Sequence, residues 1–239
     1  MPEISSPKSG LSTGGGPTGA PTGAPGSRRP SRMRIDRLGT TWMIIAVLMA
    51  GLNLFLPLHK PQAPWNMNQL VTLGVLSNGI FQWSWFFARS LARLAADDRR
   101  AHSDNLRRML SFNACFALLL VSMWLGWFIG TIVAATGIAV IAAWHGAAML
   151  SVLRERLASR FVVVVRYYVC AAAFFVLTAL LAGFVTTTMF SSSIPEAFLA
   201  MRDRLTFAHA LSGVGGWLGL SIGGTASTLG ATILRTRMS

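Results

Sequence analysis

The sequence predicts an all-α, polytopic transmembrane helix bundle of about six spans with both termini cytoplasmic. Three observations carry this prediction. First, 53% of the 239 residues are hydrophobic and only 12% are charged, about half the roughly 25% charged content of a soluble domain. Second, several apolar runs exceed the ~18–20 residues that cross a bilayer. Third, Lys and Arg alternate between connections. Counted near the spans, 17 fall on one side and three on the other, with Lys8 left out because it lies far from any span. The positive-inside rule places the richer side in the cytoplasm.

The net charge of +13 does not mark a nucleic-acid binder, because the charges sit in short segments between apolar runs rather than on one folded face. The 19 Arg against two Lys, with abundant Ala and Gly, is the bias of a GC-rich bacterial genome. The bacterial plasma membrane is the expected location, and the lipid bilayer the first partner.

Residues 1–38 read as a disordered tail rich in Gly, Pro and Ser, with the short repeat PTGAPTGAPG. Such composition cannot bury a core. It is not a secretory signal, because the first apolar run begins only near Thr41. The tail ends in Arg28, Arg29, Arg32, Arg34 and Arg37, a cluster that attracts anionic headgroups and stays cytoplasmic.

The first span covers about 41–58, with Trp42 placed as an interfacial anchor and Pro57 and Pro61 marking the exit. The second, about 68–92, is the most polar. Its Asn78 and Gln82 are four apart and must face the bundle, since unpaired polar groups in lipid cost several kcal/mol each. Residues 93–108 read as a solvated, mixed-charge loop containing His102. The third and fourth spans, about 109–130 and 131–153, are joined by an uncharged turn near 130–136, hence a tight hairpin. The fifth covers about 161–190, where Arg166 near its start can snorkel to the interface. Residues 191–204 read as the last loop.

The sixth span, about 205–234, carries a strip of small residues. Gly215, Gly219, Gly223, Ser227 and Ala231 recur every four residues, and Gly216, Leu220, Gly224 and Thr228 run beside them. Residues four apart stack on one helix face, and in lipid such bare faces let backbones pack closely. Spacing leaves open whether the strip packs within the bundle or between copies of a homo-oligomer.

Chemistry is sparser. All eight acids fall outside the proposed spans, which argues against proton- or cation-coupled transport. Cys115 and Cys170 sit in apolar runs with neither metal-ligand spacing nor a disulfide framework. No nucleophile–base pair, phosphate loop or zinc motif is present, so no catalytic or metal residue is assigned. Two histidines lie within spans. His145 is about 14 residues, or ~21 Å, from the outer end of its span, and His209 about four residues, or ~6 Å. A depth difference of ~15 Å prevents one metal or one haem from using both. Each remains a candidate contact for a separate haem or for a quinone oxygen.

Three stretches resemble a family of actinobacterial polytopic membrane proteins. They are LGVLSNGIFQWSWFF (73–87), WHGAAML with SRFVVVVRYYVCAAA (within 144–173), and FAHALSGVGGWLGLSIGGTASTLGATILRTRM (207–238). Members of that family often precede a cupredoxin or multicopper-oxidase (nitrite-reductase-like) domain and are distantly similar to haem–copper oxidase subunit I. The resemblance implies a helical bundle, the plasma membrane and a redox or copper-oxidase partner. His145 and His209 match the family. Gln69, Phe86 and Leu211 stand where members commonly have His, and Gly213 where they have Asn. If those histidines bind haem or copper, this chain has lost several of them. The resulting expectation is a non-enzymatic membrane anchor or assembly module. The alternatives are a haem- or quinone-linked electron-transfer subunit and a small-molecule transporter.

Overall fold

A computed structural model of the chain describes residues 32–55, 63–91, 99–155, 162–190, 194 and 196–233. Residues 1–31 of the tail, the exit segment around Pro57 and Pro61, and Arg235–Ser239 lie outside these residues, as does the side chain of His102. Among the described residues the structure is all-helical, in six continuous rods. α1 is Arg32–Phe55. α2 covers 63–91 in three joined pieces, Ala63–Gln69, Leu70–Ser77 and Asn78–Leu91. α3 is Arg99–Leu125, α4 is Phe128–Glu155 and α5 is Val162–Phe190. α6 covers 196–233 as Glu196–Ala210, Leu211–Gly219 and Leu220–Ile233.

Among the described residues four stretches are long and apolar enough to cross a membrane: Ser103–Leu125, Phe128–Arg154, Val163–Phe190 and Glu196–Ser227. α1 holds a shorter apolar stretch, Thr40–Leu52. α2 is diluted by Asn66, Asn68, Gln69, Asn78 and Gln82. Large apolar side chains such as Val47, Val121, Val140, Leu180 and Ile222 face outward. Such an exterior suits lipid, whereas a soluble monomer rarely exposes a large continuous apolar surface.

The rods outrun the hydrophobic runs. α1 begins at Arg32, inside the expected tail. α3 begins at Arg99, inside the expected loop, and α6 at Glu196, in what reads as loop 191–204. Hydropathy marks where a segment meets lipid, but a backbone ladder continues wherever good helix formers follow. Arg, Met, Leu, Ala and Glu fill these extensions, and propagation from an existing helix is cheap.

The hairpin also moves, from the expected 130–136 to Gly126. Gly126 adopts φ 67°, a left-handed conformation that glycine takes without strain. Gly126 N–H donates to Met123 O at 3.2 Å and Trp127 N–H to Ser122 O at 2.8 Å. These two bonds close α3 in a Schellman motif and satisfy its last carbonyls.

α5 packs along α4 and against all three pieces of α6. The centre is aromatic. Phe81 lies 4.9 Å from Phe112 and 5.5 Å from Trp217, and Phe175 stacks on Trp217 at 4.6 Å and 11°. A second cluster, built on Ala88, Met149, Val165 and Tyr168, fills the end where α2 finishes and α5 begins.

Polar side chains tie α1, α2 and α3 together. Asn113 Nδ2 donates to Asn78 Oδ1 at 2.7 Å, Asn78 Nδ2 returns to Asn113 Oδ1 at 3.2 Å, and Trp42 Nε1 donates to the same Oδ1 at 2.6 Å. Asn78 is thus buried as expected, and Gln82 is half-buried. Trp42, expected at the interface, is part of this internal network, because its indole N–H has a buried acceptor within reach.

The two glycine rows of α6 separate. A Cβ at Gly216 would fall inside the Phe174 ring, and one at Gly224 would lie 2.8 Å from Tyr167 Cβ. That row is the contact with α5. Gly215, Gly219 and Gly223 are exposed on the outer side.

Candidate functional site

Two rods contain a π-helical stretch, Leu70–Ser77 in α2 and Leu211–Gly219 in α6. A π stretch winds more loosely than an α-helix and frequently marks a functional site. In α2, Ser77 Oγ donates to Thr72 O, five residues back, at 2.8 Å. In α6, bulky Trp217 sits among small residues and donates its indole N–H to that same Ser77 Oγ at 2.9 Å. The two irregular segments are therefore joined at one point.

Downstream of that point the backbones of α2 and α6 approach over Asn78–Leu91 and Leu220–Ile233. Upstream lies a cavity of about 380 Å³, within the range typical of small-molecule sites. Pro64, Trp65, Asn68, Gln69 and Thr72 of α2 line one wall, and Thr206, His209, Gly213 and Trp217 of α6 the other. Leu119, Ile138, Phe175, Thr178 and Ala182 of α3, α4 and α5 close the inner side. Pro64, Asn68, Ala210 and Val214, on its margin, are exposed, so the cavity reaches the surface between α2 and α6.

His209 is the titratable group in this lining. Its Nδ1 lies 2.9 Å from Thr178 O. A carbonyl oxygen only accepts, so Nδ1 carries the proton and donates. Nε2 has no partner among the described residues and is not sealed from the surface. Thr178 Oγ1 donates to Ser212 Oγ at 2.9 Å, and Ser212 Oγ donates to His209 O at 3.1 Å. This small network holds the imidazole at the entry to the π stretch. Gly213 is also fitted to it, since a Cβ there would lie 3.2 Å from Thr178 Cγ2.

His145 is placed differently. It is 1% exposed, its Nε2 lies 2.9 Å from Ser84 Oγ, and its ring meets Phe81 edge-on at 4.6 Å. It does not line the cavity, and its Nδ1 has no partner among the described residues. The structure thus keeps the two histidines apart, as their depths imply.

Haem, open as a possibility at His145 or His209 although no cofactor is the expectation, is a poor fit to these residues. His145 is sealed in the bundle with Ser84 on its Nε2, and among the described residues the cavity around His209 contains no second histidine or cysteine. Gln69 lines the cavity at a position where the family commonly has His, while Phe86 and Leu211 are exposed away from it. Among the described residues no three His, Cys, Asp or Glu gather as a metal site. Arg166 is exposed near the start of α5.

Sequence reasoning missed Arg108, expected in a solvated loop. It is 1% exposed, with its guanidinium 4.4 Å from the Trp85 ring centroid and 5.8 Å from that of Trp144. Asn105 Oδ1 accepts from its Nη2 at 3.4 Å, and its Nε has no partner among the described residues. Asp104, one turn earlier, pairs instead with Arg107 at 3.5 Å. Thr178 and Ser212 were also missed, because hydroxyls in apolar helices carry no pattern. The signal for Trp217 was present: one large aromatic in the run GVGGWLG.

No family model, curated protein or solved structure matches this chain.

Proposed function

We propose that the chain is a six-span protein of the bacterial plasma membrane, with both termini cytoplasmic. Its cavity binds a small, ring-bearing oxygen compound of the quinone class, as a quinone-linked subunit of an electron-transfer system. The observation that carries this reading is His209, whose Nε2 has no partner among the described residues and faces a mostly apolar cavity of about 380 Å³ that reaches the surface. Aromatic Trp65, Phe175 and Trp217 suit a planar ring, and Pro64, Ala210 and Val214 on the margin suit a ligand arriving from lipid.

Counting α1 and α2 as spans rests on their polar residues being internal. Ser77, Asn78 and Ser84 of α2 bond to Trp217, Asn113 and His145 rather than facing lipid. Cytoplasmic termini rest on the arginine distribution.

The test is calorimetric titration of the purified protein in lipid nanodiscs with a decyl-tailed benzoquinone and its quinol. Saturable binding of either, weakened in His209→Leu, is the expected result. Absence of saturable binding by both overturns the reading.

A second reading, the non-enzymatic anchor or assembly module with a redox partner protein or a second copy, is favoured by one observation. Gly215, Gly219 and Gly223 stand exposed with no neighbour in the bundle covering them. Cysteine crosslinking at Gly219 separates the two arrangements of that row. Dimers favour the assembly role, and their absence removes its support.

A further inference from the structure

The cavity's hydrogen-bonding polarity can be read directly from the bonds that its walls have already made. Thr178 O fixes the proton of His209 on Nδ1. In a neutral imidazole the other nitrogen is then a pure acceptor. Among the described residues no carboxylate lines the cavity, so none of them favours a second proton on the ring. Its chief polar feature is therefore a lone pair on an otherwise apolar, aromatic wall.

The opposite wall carries the side-chain amide of Gln69, which has both an N–H donor and a C=O acceptor. Thr72 Oγ1 gives its proton to Asn68 O at 2.9 Å, so its contact with Gln69 at 3.5 Å leaves either end of that amide free to meet a ligand. The requirement on a ligand is therefore set by His209: whatever bonds its Nε2 must bring the proton.

We infer that the site is selective for an aromatic hydroxyl compound, a phenol or the reduced quinol form of a quinone. The inference rests on the quinone-class reading above and narrows it to one oxidation state. A quinol hydroxyl donates to His209 Nε2, and its second oxygen, a donor and acceptor both, can bond either end of the Gln69 amide. A quinone offers only carbonyl oxygens, so it places a lone pair against the His209 lone pair and leaves that contact unmade. Sites built to bond a hydroxyl discriminate strongly against analogues that lack it, because the site's polar group is left unpaired.

The test uses three probes of matched size and tail on the whole protein in nanodiscs, under anaerobic conditions. They are a decyl-benzoquinol, its quinone, and its dimethyl ether, which keeps the reduced ring but has no hydroxyl. The expected result is quinol binding about tenfold tighter than either of the others. In His209→Leu the three affinities converge on that of the ether. In His209→Gln, whose amide both donates and accepts, the quinone gains relative to the quinol. Unfolding temperature and gel filtration check that each variant is folded, and the wild-type comparison decides the question without them. Equal binding of all three by the wild-type protein overturns the selectivity while leaving the cavity reading intact. Binding of none overturns both.

Discussion

Trp217 donates its indole N–H to Ser77 Oγ across 2.9 Å, and this bond couples the π stretch of α6 to that of α2. Ser77 simultaneously donates to Thr72 O within its own rod. One hydroxyl thus serves as acceptor between rods and donor within one. It sits at the floor of the cavity, where the two backbones begin to diverge. Removing either partner has different consequences. Trp217→Phe loses the bond together with the packing of the indole's second ring in a buried site, for an expected loss of about 2 kcal/mol or more. Ser77→Ala leaves the indole N–H buried without an acceptor and costs about 1–3 kcal/mol. Unfolding of both variants in one detergent measures the losses, and unchanged stability in Ser77→Ala disproves this account of Ser77.

The reciprocal amide pair Asn78–Asn113, with Trp42 on the same oxygen, fastens α1 to α2 and α3. Asn113→Ala strands both Asn78 and Trp42. It is expected to cost about 2 kcal/mol or more, since two donors lose their acceptor. A double-mutant cycle with Trp42→Phe measures the coupling. A coupling energy near zero contradicts the shared acceptor.

The glycine rows predict opposite outcomes for the same substitution. Gly216→Ala drives a methyl into Phe174, and Gly224→Ala drives one against Tyr167 at 2.8 Å. Each is expected to destabilise by about 1–3 kcal/mol through overpacking. At Gly223 nothing lies within 4 Å of an added methyl, so Gly223→Ala is neutral or stabilising by up to ~1 kcal/mol, the helix-propensity gain. Thermal unfolding of the three variants reads this directly.

Arg108 fills a slot between Trp85 and Trp144. A planar guanidinium stacks on indole faces in a way that an ammonium does not. Arg108→Lys keeps the charge but is expected to cost about 1–2 kcal/mol. Unchanged stability in the lysine variant, measured by denaturation in detergent, refutes the stacking role.

Topology has its own measurement. A reporter enzyme active only outside the cytoplasm, fused after Ser239, is expected to be silent. The same reporter inserted within Gly126–Trp127 is expected to be active. Activity of the C-terminal fusion reverses the orientation drawn from the arginines.

Composition and pattern determined the class of this protein. Apolar runs long enough for lipid, and four-spaced glycines, fix helices and their bare faces, because these depend on neighbours along one chain. The amide Asn78 was legible as inward-facing for the same reason: a polar group with nowhere to go in lipid must turn inward. Helix ends were less legible, since hydropathy reports the solvent and not the ladder. Hence α1, α3 and α6 each begin well before their apolar runs, and the hairpin turns at Gly126. Tertiary structure alone decided which glycine row meets Phe174 and Tyr167, that Arg108 leaves its loop for two indoles, and that Thr178 O holds the proton of His209 on one nitrogen. Those are contacts between residues distant in sequence, made by side chains whose own neighbourhoods look unremarkable. A linear pattern records which face a residue occupies, whereas the partner waiting across that face is set only when separate rods pack together.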